Sequence, residues 1–171
     1  MPKSKNSALR TTVTFTSSAF KTTDTEDKPR FRGTYGDDVA IWLMMEMDSA
    51  GIEILPGLNQ SDDGWTYTFV IGTRTYLAGI NLLDVSRGMW RVTLEWDVTG
   101  SKSWFGGRRR GVRPAVALIL DTLLKRSDKA ANVWWHADRE IKPANEGKGS
   151  RDPIPTAGQA PDPAKEAAQT E

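Results

Sequence analysis

The sequence contains no cysteine and only one histidine, and these two scarcities remove several kinds of site. Without thiols, the 171-residue chain forms no disulfide, no zinc–thiolate centre and no cysteine nucleophile. Any histidine-based catalytic device would have to use His136. The formal net charge of +1 provides no overall field that would draw the chain onto nucleic acid or a membrane surface. A cysteine-free chain fits a reducing compartment, so we expect a cytoplasmic protein.

The sequence also lacks a long apolar run. No stretch approaches the roughly 20 apolar residues that a membrane-spanning helix requires, and the basic first residues are not followed by the apolar segment of a signal peptide. With 38% hydrophobic and 26% charged residues, the composition is that of a soluble globular protein. The length suits one domain, and we expect no membrane partner.

The end of the chain differs in composition from the rest. Residues 142–171 hold five of the nine prolines and almost no large apolar side chain. Such a segment buries too little surface to offset the entropy that is lost on ordering. We therefore expect a flexible start over residues 1–8, one α+β domain over residues 9–141 and a disordered tail over residues 142–171.

Alternation of apolar and polar residues predicts strands in the first half of the chain. The stretch 11–20 is rich in threonine, with Val13 and Phe15 on one face. The stretch 65–83 carries Gly72 and Thr73 near its centre, which suits a two-residue hairpin turn. That turn predicts a self-consistent register, in which apolar residues meet across the strand pair on one face. The expected partners are Phe69 with Tyr76, Tyr67 with Ala78, and Trp65 with Ile80.

Residues 86–98 have the clearest strand pattern. Apolar side chains alternate with polar ones, which predicts one buried face and one face in water. The expected buried residues are Trp90, Val92, Leu94, Trp96 and Val98, and the expected exposed ones are Arg91, Thr93, Glu95 and Asp97. Shorter strands are expected at residues 52–55 and 131–137.

Two segments have the 3.6-residue periodicity of amphipathic helices. The first runs from Asp37, an expected N-cap, to Gly51, which suits the position just beyond a helix end. The second begins at Pro114 and ends with Lys125 and Arg126, where the helix dipole favours cations. The order of elements predicts an α+β fold. We expect a two-layer sandwich, in which an antiparallel sheet of about five strands carries both helices on one face.

The sequence "SDDGW" contains two adjacent carboxylates, Asp62 and Asp63. A metal site would need further ligands at productive spacing, and none follows. Aspartate and glycine before an aromatic strand form a common turn, because glycine accepts positive φ and aspartate bonds nearby N–H groups. We therefore interpret Asp62 and Asp63 as a turn at the rim of the domain, without a metal.

His136 raises a second chemical hypothesis. It lies in an expected strand, and Asp138 follows on the same face if the strand continues. A small hydrolase would combine His136 with Asp62 and Asp63 around one pocket. The competing interpretation is a strand histidine without a catalytic part, because position in a fold does not imply function. We favour the second interpretation and expect no enzyme and no cofactor.

Residues 102–113 are the most strongly basic part of the chain. Basic residues interleaved with aromatic ones bind single-stranded nucleic acid or phosphate in other proteins, and an acidic partner or a solvated loop are the alternatives. The segment has no phosphate-loop motif, and the near-neutral total charge argues against a dedicated nucleic-acid binder. The candidate residues are Lys102, Trp104, Phe105, Arg108, Arg109, Arg110 and Arg113.

Ile41, Trp42 and Met45 widen the apolar stripe of the first expected helix. A helix that is apolar around most of its circumference is either deeply buried or covered by a partner. In a domain of this size, one side of a helix normally faces water. The three residues are therefore candidates for contact with another protein or with a second copy of the chain.

A family of small uncharacterised bacterial α+β proteins resembles this chain in the stretches "YGDDVAIWLMMEMDSAGIEI", "DDGWTYTFV", "MWRVTLEW" and "VWW". In that family the first helix has the form G-x-x-x-A-x-W-L, and the next strand begins with an acidic pair, a glycine and a tryptophan. This chain has Ser61, Asp62 and Asp63 where Glu-Asp is usual. The resemblance covers roughly residues 15–135 and implies a fold and a bacterial or phage-like origin, without implying an activity.

These observations favour a non-enzymatic protein-binding module of the bacterial cytoplasm, with an immunity or defence-associated regulatory role. Nucleic-acid or phosphate binding through residues 102–113 is the first alternative. The hydrolase built on Asp62, Asp63 and His136 is the second.

Overall fold

The computed structural model describes residues 9–22, 35–97 and 111–155. These residues form six strands, two α-helices and one short 3-10 helix. In chain order the elements are β1 (Thr12–Thr16), α1 (Asp37–Ser49), β2 (Glu53–Ser61), β3 (Gly64–Ile71), β4 (Arg74–Asp84), β5 (Met89–Trp96), α2 (Pro114–Arg126), β6 (Ala131–His136) and the 3-10 helix (Pro143–Lys148).

The six strands make one sheet in the order β2-β3-β4-β5-β1-β6, and every neighbouring pair is antiparallel. The predicted α+β class is confirmed, and the expected count of about five strands is corrected to six. The first strand of the chain lies between β5 and β6, so it is an inner strand with neighbours on both sides. Such an inner position explains why threonines as well as apolar residues of β1 are buried.

The β3–β4 hairpin has the register that the sequence predicts. Trp65 pairs with Ile80, and the next two apolar pairs follow in step towards the turn at Gly72. Gly72 has a φ of 64°, which glycine adopts without a steric penalty. The prediction succeeds because a slip of one residue would move every apolar side chain of the strand to the other face.

One face of the sheet is continuously apolar. The registers align Trp65, Ile80, Val92, Val13 and Trp135 in a single row across five strands. Each helix contacts a side chain of the inner strands or of β6. Trp42 of α1 packs edge-on against Phe15, with ring centroids 6.3 Å apart, and Asp121 of α2 accepts a hydrogen bond of 2.8 Å from Trp135 Nε1. The hydrophobic core therefore includes side chains of both helices and of these strands.

Glycines mark both ends of α1. The N-cap is Gly36, with a φ of 112°, and Asp37 is the first helical residue, so the expected side-chain cap from Asp37 is absent. A Cβ at Gly36 would lie 3.2 Å from one side-chain atom each of Ile80 and Trp90, and the positive φ would strain any larger residue there. At the other end Gly51 has a φ of 83°, as predicted. The amide of Ile52 then bonds to the carbonyl of Met47 at 3.0 Å, as in a Schellman ending.

The helix α2 begins and ends where its sequence predicts. Pro114 is its first residue, where a missing amide hydrogen costs nothing. Lys125 and Arg126 occupy its last turn. The buried side chains that form its stripe include Val116, Leu120 and Leu123.

Residues 137–155, called the strap below, pass over the polar face of the sheet. Ser150 pairs with Trp135 of β6 through two backbone hydrogen bonds of 2.6 and 2.8 Å. The amide of Arg10 donates to the carbonyl of Pro153 at 3.0 Å, close to the start of β1. Residues 142–155, which the composition assigns to the tail, thus make defined contacts with β6 and with the start of β1, and residues 156–171 lie outside the described residues.

The strap also changes the environment of the face that was expected to lie in water. Arg139 donates a hydrogen bond of 2.6 Å to Glu95, and Arg91 donates to the carbonyl of Arg139 at 2.9 Å. Thr93 and Glu95 are consequently buried. The alternation in β5 is confirmed at Trp90, Val92 and Leu94, which are buried, but its polar side is covered by another part of the chain. Trp96 is half-buried, and Val98 lies outside the described residues.

The two outer edges of the sheet are protected differently. The strap covers part of β6 through the Ser150 pairing. Within the described residues no strand pairs with the outer side of β2. Pro56 and the register shift between Ile54 and Leu58 interrupt β2, and both features weaken an edge as a template for a further strand. β2 is also longer than the expected residues 52–55.

Among the described residues, no helix is both long enough and apolar enough to cross a membrane.

Candidate functional site

The outer side of α1 carries a narrow stripe of four residues: Asp37, Ile41, Met45 and Asp48. Their spacing places them within about 80° of the helix circumference and over about 16 Å of its length. Ile41 is 49% exposed and Met45 is 65% exposed, which makes them the most exposed large apolar side chains that the structure describes. This set is called the outer stripe below. It reads acid, apolar, apolar, acid along the helix.

Trp42 is not part of the exposed surface, which corrects the prediction that placed it with Ile41 and Met45. Its side chain is only 6% exposed. It packs against Phe15 of β1 and, with ring centroids 5.1 Å apart, against Phe20 in the segment that follows β1. That segment gives α1 a second buried side, which the helical periodicity alone does not reveal.

Leu118 is a third exposed apolar residue, on α2, with 44% of its side chain accessible. The sequence pattern does not distinguish it from the other apolar residues of α2. Its exposure follows from helical periodicity, because a residue two positions from the buried Val116 and Leu120 points to the opposite side of the helix. The two helices are linked by an ion pair of 3.2 Å between Arg126 and Glu46.

The charges around α1 are strongly one-sided. Residues 35–73 contain no lysine, arginine or histidine. Because the whole chain has a net charge of +1 and this stretch has −7, the remaining residues sum to +8. The stretch spans α1, β2 and β3, and α1 contacts both strands. The seven acids are Asp37, Asp38, Glu46, Asp48, Glu53, Asp62 and Asp63.

The acids of α1 are engaged to different degrees. Asp38 accepts hydrogen bonds from the amides of Lys21 and Val39, at 2.8 and 2.9 Å. Glu46 pairs with Arg126. Across residues 9–22, 35–97 and 111–155, by contrast, the structure records no ion pair of Asp37 or Asp48 with a cation. Within α1, Asp37 and Asp48 at the two ends of the outer stripe are thus acids that no described cation neutralises through an ion pair.

Asp62 and Asp63 form the exposed two-residue turn between β2 and β3, as the turn interpretation requires. The carbonyl of Asp63 accepts a hydrogen bond from the Asn81 side chain. Gly64 follows, and a Cβ there would overlap the carbonyl oxygen of Ile80. The local sequence is therefore explained by the close approach of two strands.

His136 is packed under the strap. It is 5% exposed, and its Nε2 lies 2.9 Å from the hydroxyl of Thr14. Burial lowers its pKa to about 4, against the opposing effects of Glu146 and Asp138. The imidazole is therefore neutral at neutral pH, where it serves as a hydrogen-bonding partner inside the fold.

The structure does not bring the acidic pair and His136 together. Strands β4, β5 and β1 lie between β3 and β6, so four interstrand spacings separate them. At about 4.8 Å per spacing, this is about 19 Å. The geometric condition for a hydrolase built on Asp62, Asp63 and His136 is not met. Among the described residues, no group of three or more acids and histidines is arranged to hold a metal ion.

Most of the basic segment lies outside the described residues, including Lys102, Trp104, Phe105, Arg108, Arg109 and Arg110. Its last part is described. Arg113 is the exposed N-cap of α2. Gly111 packs closely on the ring of Trp96, and Arg74 donates to the Gly111 carbonyl at 3.1 Å. The end of this segment is therefore firmly attached to the sheet.

Comparison with protein-family models, curated proteins and solved structures finds no significant match to this chain. The family resemblance drawn from the sequence motifs stays a prediction.

Proposed function

We propose that this chain is a non-enzymatic protein-binding module of the bacterial cytoplasm and that the outer stripe of α1 is its contact surface. The proposal takes the domain as the two-layer sandwich expected from the sequence, with its polar face covered by the strap. The contacts of Phe15 with Trp42 and of Trp135 with Asp121 support that arrangement. The outer side of α1 is then the side turned away from the sheet.

One observation carries the proposal: Ile41 and Met45 are exposed neighbours on one helix face, although α1 already fills its core side with other residues. Removing such a side chain from water contributes about 1.5–3 kcal/mol when burial is complete. Because roughly half of each side chain is accessible, burial of the pair by a partner would contribute on the order of 2–3 kcal/mol to the binding free energy. That is enough for a central contact within a larger interface.

The placement of His136 supports a binding role over a catalytic one. Its ring is held by Thr14 beneath the strap, and it is far from the acidic turn. The predicted immunity or defence-associated role would be one use of such a module.

Site-specific photo-crosslinking in the cells that make the protein tests the proposal. A photo-reactive amino acid at position 45 should crosslink to a discrete protein. The same group at Lys129, an exposed turn residue beyond α2, serves as the matched control and should not. Ile41→Glu should abolish the crosslink while the fold is retained, because Ile41 is half exposed. Equal crosslinking from positions 45 and 129 would refute the proposal.

A further inference from the structure

We infer that the outer stripe selects a basic partner, one that presents an apolar contact with a lysine or arginine at each end, and that it disfavours a second copy of itself. This inference rests on the proposed function and names the chemistry of the partner. The occupant is a surface of another protein in which two cations flank an apolar groove or helix face, about 16 Å apart.

The order of charges along the outer stripe favours a basic partner. Asp37 lies four residues before Ile41, and Asp48 lies three residues after Met45. At 1.5 Å per residue, each acid is about 5–6 Å along the axis from the nearer apolar side chain. Both carboxylates therefore lie within a Debye length of any group that covers the apolar pair. A partner that buries Ile41 and Met45 necessarily meets both charges.

The same order argues against a second copy. Packing α1 antiparallel on another α1 places Asp37 near Asp48 of the second copy, and parallel packing places each acid near its own equivalent. Helices pack with axes 8–10 Å apart, so like charges face each other at both ends in either orientation. The other five acids of residues 35–73 add to the repulsion.

Asp48 supplies an argument that is independent of the exposed apolar pair. It lies in the last turn of α1, where the helix dipole favours a cation, and this turn contains no basic residue. Asp48 thus opposes the local stability of the helix. Glu46 has Arg126 as its counter-ion, whereas the described residues provide none for Asp48. A local conflict of this kind is expected where a residue serves binding.

Coulomb's law sets the size of the expected selectivity. In water, two unit charges about 10 Å apart change an equilibrium constant about twofold. Exchanging two attractive contacts for two repulsive ones therefore changes affinity on the order of tenfold at low salt. Added salt should reduce this preference, because both acids are accessible to solvent.

Two designed helical peptides test the inference on the full-length protein. Both carry leucines at the spacing of Ile41 and Met45. One has lysines at the spacing of Asp37 and Asp48, and the other has glutamates there. Binding is measured by NMR titration at low and high salt. The lysine peptide should bind on the order of tenfold more tightly at low salt and should shift the amides of α1. An equal affinity for both peptides would overturn the inference.

Matched variants distinguish the effect of the two acids of the outer stripe from the effect of the total acidic charge of residues 35–73. Asp37→Asn with Asp48→Asn should remove the preference for the lysine peptide. Asp62→Asn with Asp63→Asn removes the same charge from the exposed β2–β3 turn and should leave the preference intact. An equal loss of the preference in both double variants would contradict the inference. The total acidic charge, and not the outer stripe, would then select the partner.

Sedimentation tests the statement about a second copy. The wild-type chain should remain monomeric at concentrations where the lysine peptide binds, and dimerisation that Ile41→Glu abolishes would overturn the inference. The outcome is separable from that of the proposed function. A crosslink from position 45 without any charge preference would retain the binding module and reject only its selectivity for a basic partner.

Discussion

The indole Nε1 of Trp135 donates a hydrogen bond of 2.8 Å to Asp121 Oδ1 inside the core. The other carboxylate oxygen of Asp121 accepts a bond of 2.9 Å from Lys125, and Lys125 also donates to the carbonyl of Arg151 at 2.7 Å. One carboxylate thus connects β6 and α2, and through Lys125 it also reaches the strap. Buried polar groups of this kind stabilise a fold only while every member keeps its partner.

Substitution of Asp121 should reveal that dependence. In Asp121→Ala the buried indole N–H loses its acceptor, which should lower the free energy of unfolding by about 2–3 kcal/mol. Asp121→Asn retains an acceptor oxygen and should cost about 1 kcal/mol. Urea denaturation followed by tryptophan fluorescence measures both values. Equal losses in the two variants would show that the hydrogen bond to Trp135 is not the cause.

Acidification should destabilise the fold through His136. Its pKa is about 4 in the folded chain and 6.5 ordinarily. The unfolded chain therefore binds a proton more readily between these values, and stability falls as pH decreases from 6.5 to 4. The loss should be roughly 1–3 kcal/mol. It should be complete below pH 4, where both states are protonated.

His136→Gln tests this assignment, because it removes the titrating ring and leaves the other acids and bases unchanged. The variant should be less stable than the wild type at neutral pH. Its urea midpoint should depend less on pH across the same window. A variant with the full pH dependence of the wild type would assign the effect to other groups.

Removal of the strap from residue 143 onwards should expose buried polar surface and one edge of the sheet. A chain that ends at residue 142 loses the Ser150 pairing with Trp135, the Arg10 bond to Pro153 and the contact of Glu146 with Arg87. At about 1 kcal/mol for each hydrogen bond, it should be less stable by roughly 3–4 kcal/mol. A chain that ends at residue 155 is the control and should match the full-length protein. Hydrogen exchange at the Trp135 amide provides a local readout, because that amide donates to Ser150.

Two glycines in neighbouring turns should respond differently to alanine. At Gly64 an added Cβ would overlap the carbonyl of Ile80, so Gly64→Ala should cost at least about 2 kcal/mol. At Gly72 no atom lies within 4 Å of the added Cβ, and only the positive φ opposes the change, at about 1 kcal/mol. Thermal unfolding of the two variants measures the difference. A larger effect at Gly72 would contradict the packing argument.

The hairpin register could be predicted because its information is local. Trp65, Tyr67 and Phe69 alternate with threonines and valine, and a two-residue turn leaves a single pairing that buries them together. The ends of both helices are also local, since they depend on Gly51 and Pro114. These features follow from short stretches of chain.

The strap could not be predicted from composition, because it is held by polar pairs and backbone hydrogen bonds instead of apolar burial. Arg139 contacts Glu95 of β5. Glu146 contacts Arg87 in the turn between β4 and β5, and Ser150 pairs with Trp135 of β6, so each contact joins residues that are not neighbours in sequence. The candidate site shows the same limit. Helical periodicity marked Ile41 and Met45 correctly as surplus apolar residues. It could not show that Phe20 covers Trp42, because the placement of Phe20 depends on tertiary contacts.

The hydrogen bond between the Arg10 amide and the Pro153 carbonyl brings the two ends of the described domain side by side. The chain therefore enters and leaves the described domain at neighbouring points on its surface. A new connection between residues 10 and 153 would need to span only a few ångströms, and new termini in the Asp62–Asp63 turn would then give a circular permutant with an unchanged sheet. For the same reason, the domain is suited to insertion into an exposed loop of a carrier protein, where α1 would stay accessible.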